Sequence, residues 1–106
     1  MLRTWTFRLP TVVRFGRGSV RKLGELAQDF GWRALLVGYQ DASGMEAVYR
    51  KVQQALRTAR VHAEAFLEVG PEPDQSWVTA GAEVYKKSRA ELIVAVGGGS
   101  VIDVAK

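Results

Sequence analysis

LIVAVGGGSVIDVAK, residues 92–106, places three consecutive glycines between two apolar runs. The first run is typical of a buried strand, and the run after the glycines is typical of a helix. Glycine permits positive φ angles and lets a bulky anion approach the backbone without meeting a Cβ atom. Free N–H groups at the start of a helix attract phosphate. The stretch therefore predicts a phosphate-binding turn formed by Gly97, Gly98 and Gly99.

Three side chains beyond the glycines extend this prediction. Ser100 and Asp103 form an S-x-x-D pattern, which is similar to a capping box with Asp in place of the usual Glu. We therefore expect Ser100 to cap the new helix while Asp103 reaches back toward the cap. Lys106 lies further along the same helix, where it either offers a cation to the phosphate or is simply solvated.

The glycine pattern differs from two common phosphate-binding fingerprints. Ile102 occupies the position of the third glycine in G-x-G-x-x-G, and no Gly-Lys-Ser/Thr sequence follows, as it would in a Walker A loop. On these residues alone, a turn that merely connects two elements is the alternative.

Upstream of the turn, strand patterns alternate with helix patterns. Residues 33–38 contain an uninterrupted apolar run, typical of a strand covered on both faces. A capping box that begins at Ser43 precedes a regular apolar stripe from Met45 to Ala59. Residues 61–67 alternate as a strand near a sheet edge does, and Asp74 is placed to cap a third helix.

The first thirty residues carry weaker patterns. Segments 4–7 and 12–15 are predicted to be short extended strands in a hairpin-like arrangement, with Trp5, Phe7 and Leu9 on one buried face. A helix is predicted to follow Ser19 and to end at Phe30, just before a glycine.

The order βαβαβ predicts an α/β fold, a doubly wound parallel sheet with right-handed crossovers. Ligands bind such sheets at the carboxyl ends of the strands. Three loops lie there: 38–42, 69–73 and 97–100. Besides the glycine turn, these loops and the residue that follows the first of them supply five further candidates for the binding site: Gly38, Tyr39, Asp41, Ser43 and Glu72.

Three strings resemble the iron-containing (group III) alcohol dehydrogenases. Residues 97–106 resemble the family's G-G-G-S-x-x-D-x-A-K signature, which binds the pyrophosphate of NAD or NADP. Residues 15–19 resemble F-G-x-G-[AS], and residues 69–73 resemble V-x-P-N-P, with Glu72 where the family usually has Asn. The resemblance covers essentially the whole chain, but only the N-terminal part of a family member.

This resemblance implies that residues 1–106 form part of a Rossmann-like dinucleotide-binding domain. The family's catalytic metal, usually iron and sometimes zinc, is held by one Asp and three His of a helical C-terminal domain, which this chain lacks. The chain contains a single histidine, His62, and no cysteine. We expect it to be either a fragment of a longer enzyme or a truncated gene product, and to be inactive alone in hydride transfer between alcohol and aldehyde.

The cofactor is expected to be NADP or NAD. Tyr39 stands where many NAD-preferring members have an Asp, so the 2′-phosphate of NADP becomes tolerable, although Asp41 could restore the repulsion. Tyr39 or Ser43 is expected near the adenosine end. A glycerol dehydrogenase or dehydroquinate synthase branch and a non-enzymatic nucleotide-phosphate-binding module are the alternatives.

Composition and charge limit the other classes of protein to which the chain could belong. The chain is 47% hydrophobic and 25% charged, as is ordinary for a globular domain. Its charge of +4 invites a nucleic-acid partner, but no basic tract exceeds two residues, which favours solvated helix faces. No signal peptide or membrane span is apparent, and the lack of cysteine is compatible with a reducing cytoplasm. A homodimer is expected by resemblance, with no nucleic-acid or membrane partner.

Overall fold

The computed structural model describes residues 4–8, 10–41, 44–70 and 74–106. Three parallel strands form one sheet in the order β2-β1-β3. Along the chain the elements are a 3-10 helix Ser19–Lys22, α1 Leu23–Gln28, β1 Arg33–Tyr39, α2 Glu46–Thr58, β2 His62–Val69, α3 Gln75–Ser88, β3 Leu92–Ala95 and α4 Gly99–Ala105. The predicted α/β fold with a parallel sheet is confirmed.

Helices cover both faces of the sheet, which gives the domain two separate core clusters. Successive residues of a strand point to opposite faces. Leu36 of β1 therefore packs with α1 and α2, whereas Leu35 packs with α3 and α4. Both side chains are at most 2% exposed. This double covering is the physical reason for the uninterrupted apolar run in β1.

The winding direction reverses beside the central strand. From β1 the chain passes through α2 to β2 on one side, and it then returns across β1 through α3 to β3 on the other. The switch point lies between β1 and β3, where an open α/β sheet offers a ligand a crevice at the carboxyl ends of its strands.

The predicted position of residues 61–67 near a sheet edge is confirmed by the strand order. The buried residues differ from the expected alternation, however, because Phe66 is only 2% exposed. Phe66 packs in the α3 and α4 cluster, where Gly81 of α3 leaves room for its ring.

The prediction of N-terminal strands is wrong for the described residues. Segments 4–8 and 10–15 contain no strand, and the side chains of Trp5 and Phe7 are 81% and 76% exposed rather than buried. Two short strands are stable only when they pack on a larger sheet or a helix, and no strand of this sheet pairs with them. Leu9 lies outside the described residues.

Two helix starts and one helix end can be compared with their signals. Asp74 caps α3 as predicted, because its Oδ1 accepts a hydrogen bond from the Ser76 N–H at 2.8 Å. Helix α2 begins at Glu46, but Ser43 of the predicted capping box lies outside the described residues. Helix α1 ends at Gln28, before the predicted Phe30, which is 72% exposed.

The early end of α1 has a local cause. The N–H groups of Phe30 and Gly31 both donate to the carbonyl oxygen of Ala27, so the last turn tightens and the chain leaves the helix axis.

Among the described residues, no helix combines the length and apolar character needed to cross a membrane.

Candidate functional site

The carboxyl ends of β1 and β3 lie side by side at the switch point. Val37 pairs with Ala95, and the N–H of Val96 donates to the carbonyl oxygen of Val37 at 2.9 Å. The chain leaving β1 at Tyr39 therefore meets the glycine turn that follows β3. Two of the three loops predicted to share this edge are thus in contact, while most of the third, residues 71–73, is outside the described part.

Each glycine of the turn has a different environment. Gly97 has a φ of 149°, and a Cβ atom there would lie 2.7 Å from the Tyr39 ring and 2.8 Å from a Val101 methyl group. At Gly98, a Cβ atom would lie 2.8 Å from the Tyr39 hydroxyl. Gly99 is exposed, and a Cβ atom there would meet nothing within 4 Å. Packing inside this domain therefore explains the absence of side chains at the first two positions only.

The predicted capping box at the start of α4 is wrong. The helix begins at Gly99, its N-cap is Gly98, and no side chain caps it. Gly98 has an extended backbone that suits the N-cap position, so Ser100 already lies within the first turn and cannot cap. Asp103 instead lies 3.9 Å from the ammonium group of Lys106.

Two tyrosines connect the strand ends to the turn. The N–H of Gly98 donates to the Tyr39 hydroxyl at 2.8 Å. The N–H of Tyr39 donates to the Tyr49 hydroxyl at 2.8 Å, and that hydroxyl lies 3.3 Å from the carbonyl oxygen of Val96, to which it donates. No motif in the sequence predicts this hydrogen-bond network.

The remaining predicted site residues are not all brought to the turn. Gly38 is buried at the end of β1, and Asp41 is exposed just beyond it. Lys106 is the C-cap residue that follows α4, and its side chain is 75% exposed. It thus lies one seven-residue helix, about 10 Å, from the glycines. Ser43 and Glu72 lie outside the described residues.

The described residues do not fit a catalytic metal. They contain no group of three or more His, Cys, Asp or Glu side chains that could hold an ion. The full sequence has one histidine and no cysteine, so the nitrogen and sulfur donors that transition metals prefer are nearly missing.

A parallel doubly wound sheet with a glycine turn at its switch point defines the class of Rossmann-like α/β domains. Comparison with known proteins is more specific, because the family model described as iron-containing alcohol dehydrogenase matches residues 10–106. The chain belongs to the iron-containing alcohol dehydrogenase family.

Individual relatives agree with this assignment. Choline dehydrogenase of Bacillus subtilis is 34% identical over 106 residues, which is 100% of this chain and 26% of the relative. A solved NADH-dependent butanol dehydrogenase A from Thermotoga maritima has a TM-score of 0.86 and 36% identity, over 96% of this chain and 26% of that one. An archaeal alcohol dehydrogenase from a Red Sea brine pool has a TM-score of 0.88 and 30% identity, over 99% and 26%. The chain therefore spans about a quarter of the length of these relatives.

Proposed function

We propose that this chain forms the dinucleotide-binding part of an alcohol dehydrogenase and holds NAD or NADP by its pyrophosphate at the glycine turn. Family membership supports the reaction class, a hydride transfer between an alcohol or aldehyde and the nicotinamide ring. The structural observation that carries the proposal concerns Gly99. A Cβ atom there would meet no atom within 4 Å, and the residue has no positive φ, so neither packing nor backbone conformation requires a glycine. A bulky ligand at the switch point would supply the missing reason.

The chain's own part in this function is to bind and orient the cofactor. The N–H groups of the turn would donate hydrogen bonds to phosphate oxygens, and the glycines would let those oxygens approach the backbone. The bound cofactor supplies the hydride chemistry. With seven residues, α4 is short, so the local N–H donors matter more than the dipole of the helix.

Other cofactor contacts are proposed on sequence grounds. The family-like signature contributes Asp103 and Lys106. The end of the first strand contributes Gly38 and Tyr39, and the sequence after it contributes Asp41 and Ser43. Glu72 lies in a loop predicted at the same edge. Because Tyr39 is uncharged, we propose that the 2′-phosphate of NADP is tolerated, although the Thermotoga relative is named as NADH-dependent.

We propose that the catalytic metal and its ligands lie outside residues 1–106. Following the resemblance to the family, we place the iron, or zinc, on an Asp and three His of a separate helical domain. The described residues contain no group of donors that could hold an ion, and the sequence has a single histidine. A glycerol dehydrogenase or dehydroquinate synthase activity is the alternative within related chemistry. We further propose a cytoplasmic homodimer without a nucleic-acid or membrane partner, in which exposed Trp5 and Phe15 are covered.

Titration of the chain with NADH, NADPH and a duplex oligonucleotide tests the proposal, with tryptophan emission as the readout. We expect saturable binding of a dinucleotide and no specific binding of DNA. A response to DNA that weakens steeply with salt, with no response to either dinucleotide, would contradict it, provided that circular dichroism shows a folded chain.

A second test is to read the residues encoded after Lys106. A downstream Asp-x-x-x-His and two further histidines would support the metal enzyme. Their absence would leave a nucleotide-phosphate-binding module as the better description.

A further inference from the structure

The Tyr39 side chain occupies the glycine turn. Its hydroxyl accepts the hydrogen bond of the Gly98 N–H at 2.8 Å. Its ring lies so close to the turn that a Cβ atom on Gly97 would be 2.7 Å from Cε2. A phenolic oxygen therefore sits where the turn would otherwise present a donor to a ligand.

A backbone N–H carries one hydrogen, so the Tyr39 oxygen and a phosphate oxygen compete for it. A charged phosphate oxygen is the stronger acceptor, since hydrogen bonds to ionised groups are shorter and roughly twice as strong as neutral ones. The exchange nevertheless costs the bond that Tyr39 already makes. Binding at Gly98 then requires the ring to move away.

The backbone of Tyr39 is held while its side chain is less confined. Its N–H donates to the buried Tyr49 hydroxyl, and the next N–H, that of Gln40, donates to Val69 at 2.9 Å. The Tyr39 side chain is only half-buried. Rotation about its side-chain bonds can thus release Gly98 without breaking the sheet.

We infer that Tyr39 is a positioning residue that sets cofactor affinity: its hydroxyl holds the Gly98 N–H in the free protein and competes with the dinucleotide pyrophosphate for it. The inference rests on the proposed function of the glycine turn. It gives Tyr39 a role at the phosphates, distinct from the lack of charge discussed for the adenosine end.

The test compares Tyr39→Phe with the unmodified chain and with Tyr85→Phe, a half-buried tyrosine of α3 that makes none of these hydrogen bonds. Dissociation constants for NADH and inorganic pyrophosphate are measured, together with hydrogen exchange of the Gly98 amide by NMR. We expect Tyr39→Phe to bind both ligands about fivefold more tightly, the effect of one competing hydrogen bond. Its free-state Gly98 amide should exchange faster, and Tyr85→Phe should match the unmodified chain.

Equal or weaker binding by Tyr39→Phe would overturn the inference while leaving the proposed function intact, because the unmodified chain would still bind. Failure of every variant to bind either ligand would instead overturn the proposed function, and the competition with it. If Tyr39→Phe unfolds, NMR of the unmodified chain with and without NADH tests the inference instead. Contacts between the Tyr39 ring and Gly97 should disappear when NADH is added, and their persistence in the complex would overturn the inference.

Discussion

The hydroxyl of Tyr49 lies 3.3 Å from the carbonyl oxygen of Val96, so a side chain of α2 is bonded to the chain leaving β3. The same hydroxyl accepts the Tyr39 N–H at the end of β1. With Tyr49 only 5% exposed, one buried oxygen joins the two strand ends that carry the candidate site.

Tyr49→Phe should destabilise the domain. It leaves the Tyr39 N–H and the Val96 carbonyl without their partner, which costs about 1–3 kcal/mol for buried groups. Thermal unfolding should report a loss of roughly 4–8 °C for each kcal/mol in a domain of this size. Tyr85→Phe is the control, and equal melting temperatures for the two variants would refute a structural role for the Tyr49 hydroxyl.

Tyr39→Asp should change the choice between cofactors. A carboxylate near the adenosine end repels the 2′-phosphate, so the ratio of the NADPH to the NADH dissociation constant should rise about fivefold. Tyr39→Asn removes the same hydroxyl without adding charge and is the matched control. If both variants give the same ratio, residue 39 does not face the adenosine ribose.

Lys106→Gln tests the cation of the family-like signature. Its ion pair with Asp103 is exposed, so the melting temperature should stay nearly constant. NADH affinity should fall roughly threefold, with a shallower dependence on salt, because a positive charge near a bound anion is lost. Lys87→Gln on α3 is the control. If the NADH affinity of Lys106→Gln and its salt dependence equal those of the unmodified chain, Lys106 does not contribute to cofactor binding.

Asp74 makes stability depend on pH. The backbone N–H of Ser76 lowers the pKa of this carboxyl below its ordinary value of 3.8. The ionised cap therefore stabilises the folded state above that value, and the contribution is lost as pH falls through the lower folded pKa. Asn caps about as well and does not titrate. The melting temperature of the unmodified chain should thus fall more steeply below pH 4 than that of Asp74→Asn, whereas parallel curves would contradict the assignment.

Local signals were sufficient for most of the fold. The apolar run in 33–38 predicts β1, and the Asp74 cap predicts the start of α3, each from residues that are adjacent in the sequence. The alternation of strands and helices then allows only a few topologies for the chain. The N-terminal strands could not be judged in this way, because strand patterns at Trp5 and Phe7 form a sheet only if a partner is present.

The glycine turn was predicted, but its intramolecular contacts were not. Tyr49 belongs to an apolar helical stripe, and its hydroxyl was the only sign that a buried polar group needed partners. Those partners lie up to 47 residues away, at the ends of two strands that become neighbours only in the folded chain. The start of α4 at Gly99 rather than beyond Ser100 goes with the extended backbone of Gly98, whose N–H donates to the distant Tyr39 hydroxyl.

The central claim is that Gly99 lacks a side chain because a dinucleotide phosphate approaches it. Gly99→Ala places a methyl group in open space at the first residue of α4, so the melting temperature should stay equal or rise slightly. Gln75→Ala, at the first residue of α3, is the matched control.

The deciding measurement is the NADH dissociation constant of folded Gly99→Ala. We predict that it rises at least about tenfold, because the methyl group blocks close approach to the backbone, while Gln75→Ala binds as the original chain does. NADH affinity in Gly99→Ala equal to that of the unmodified chain would contradict the account.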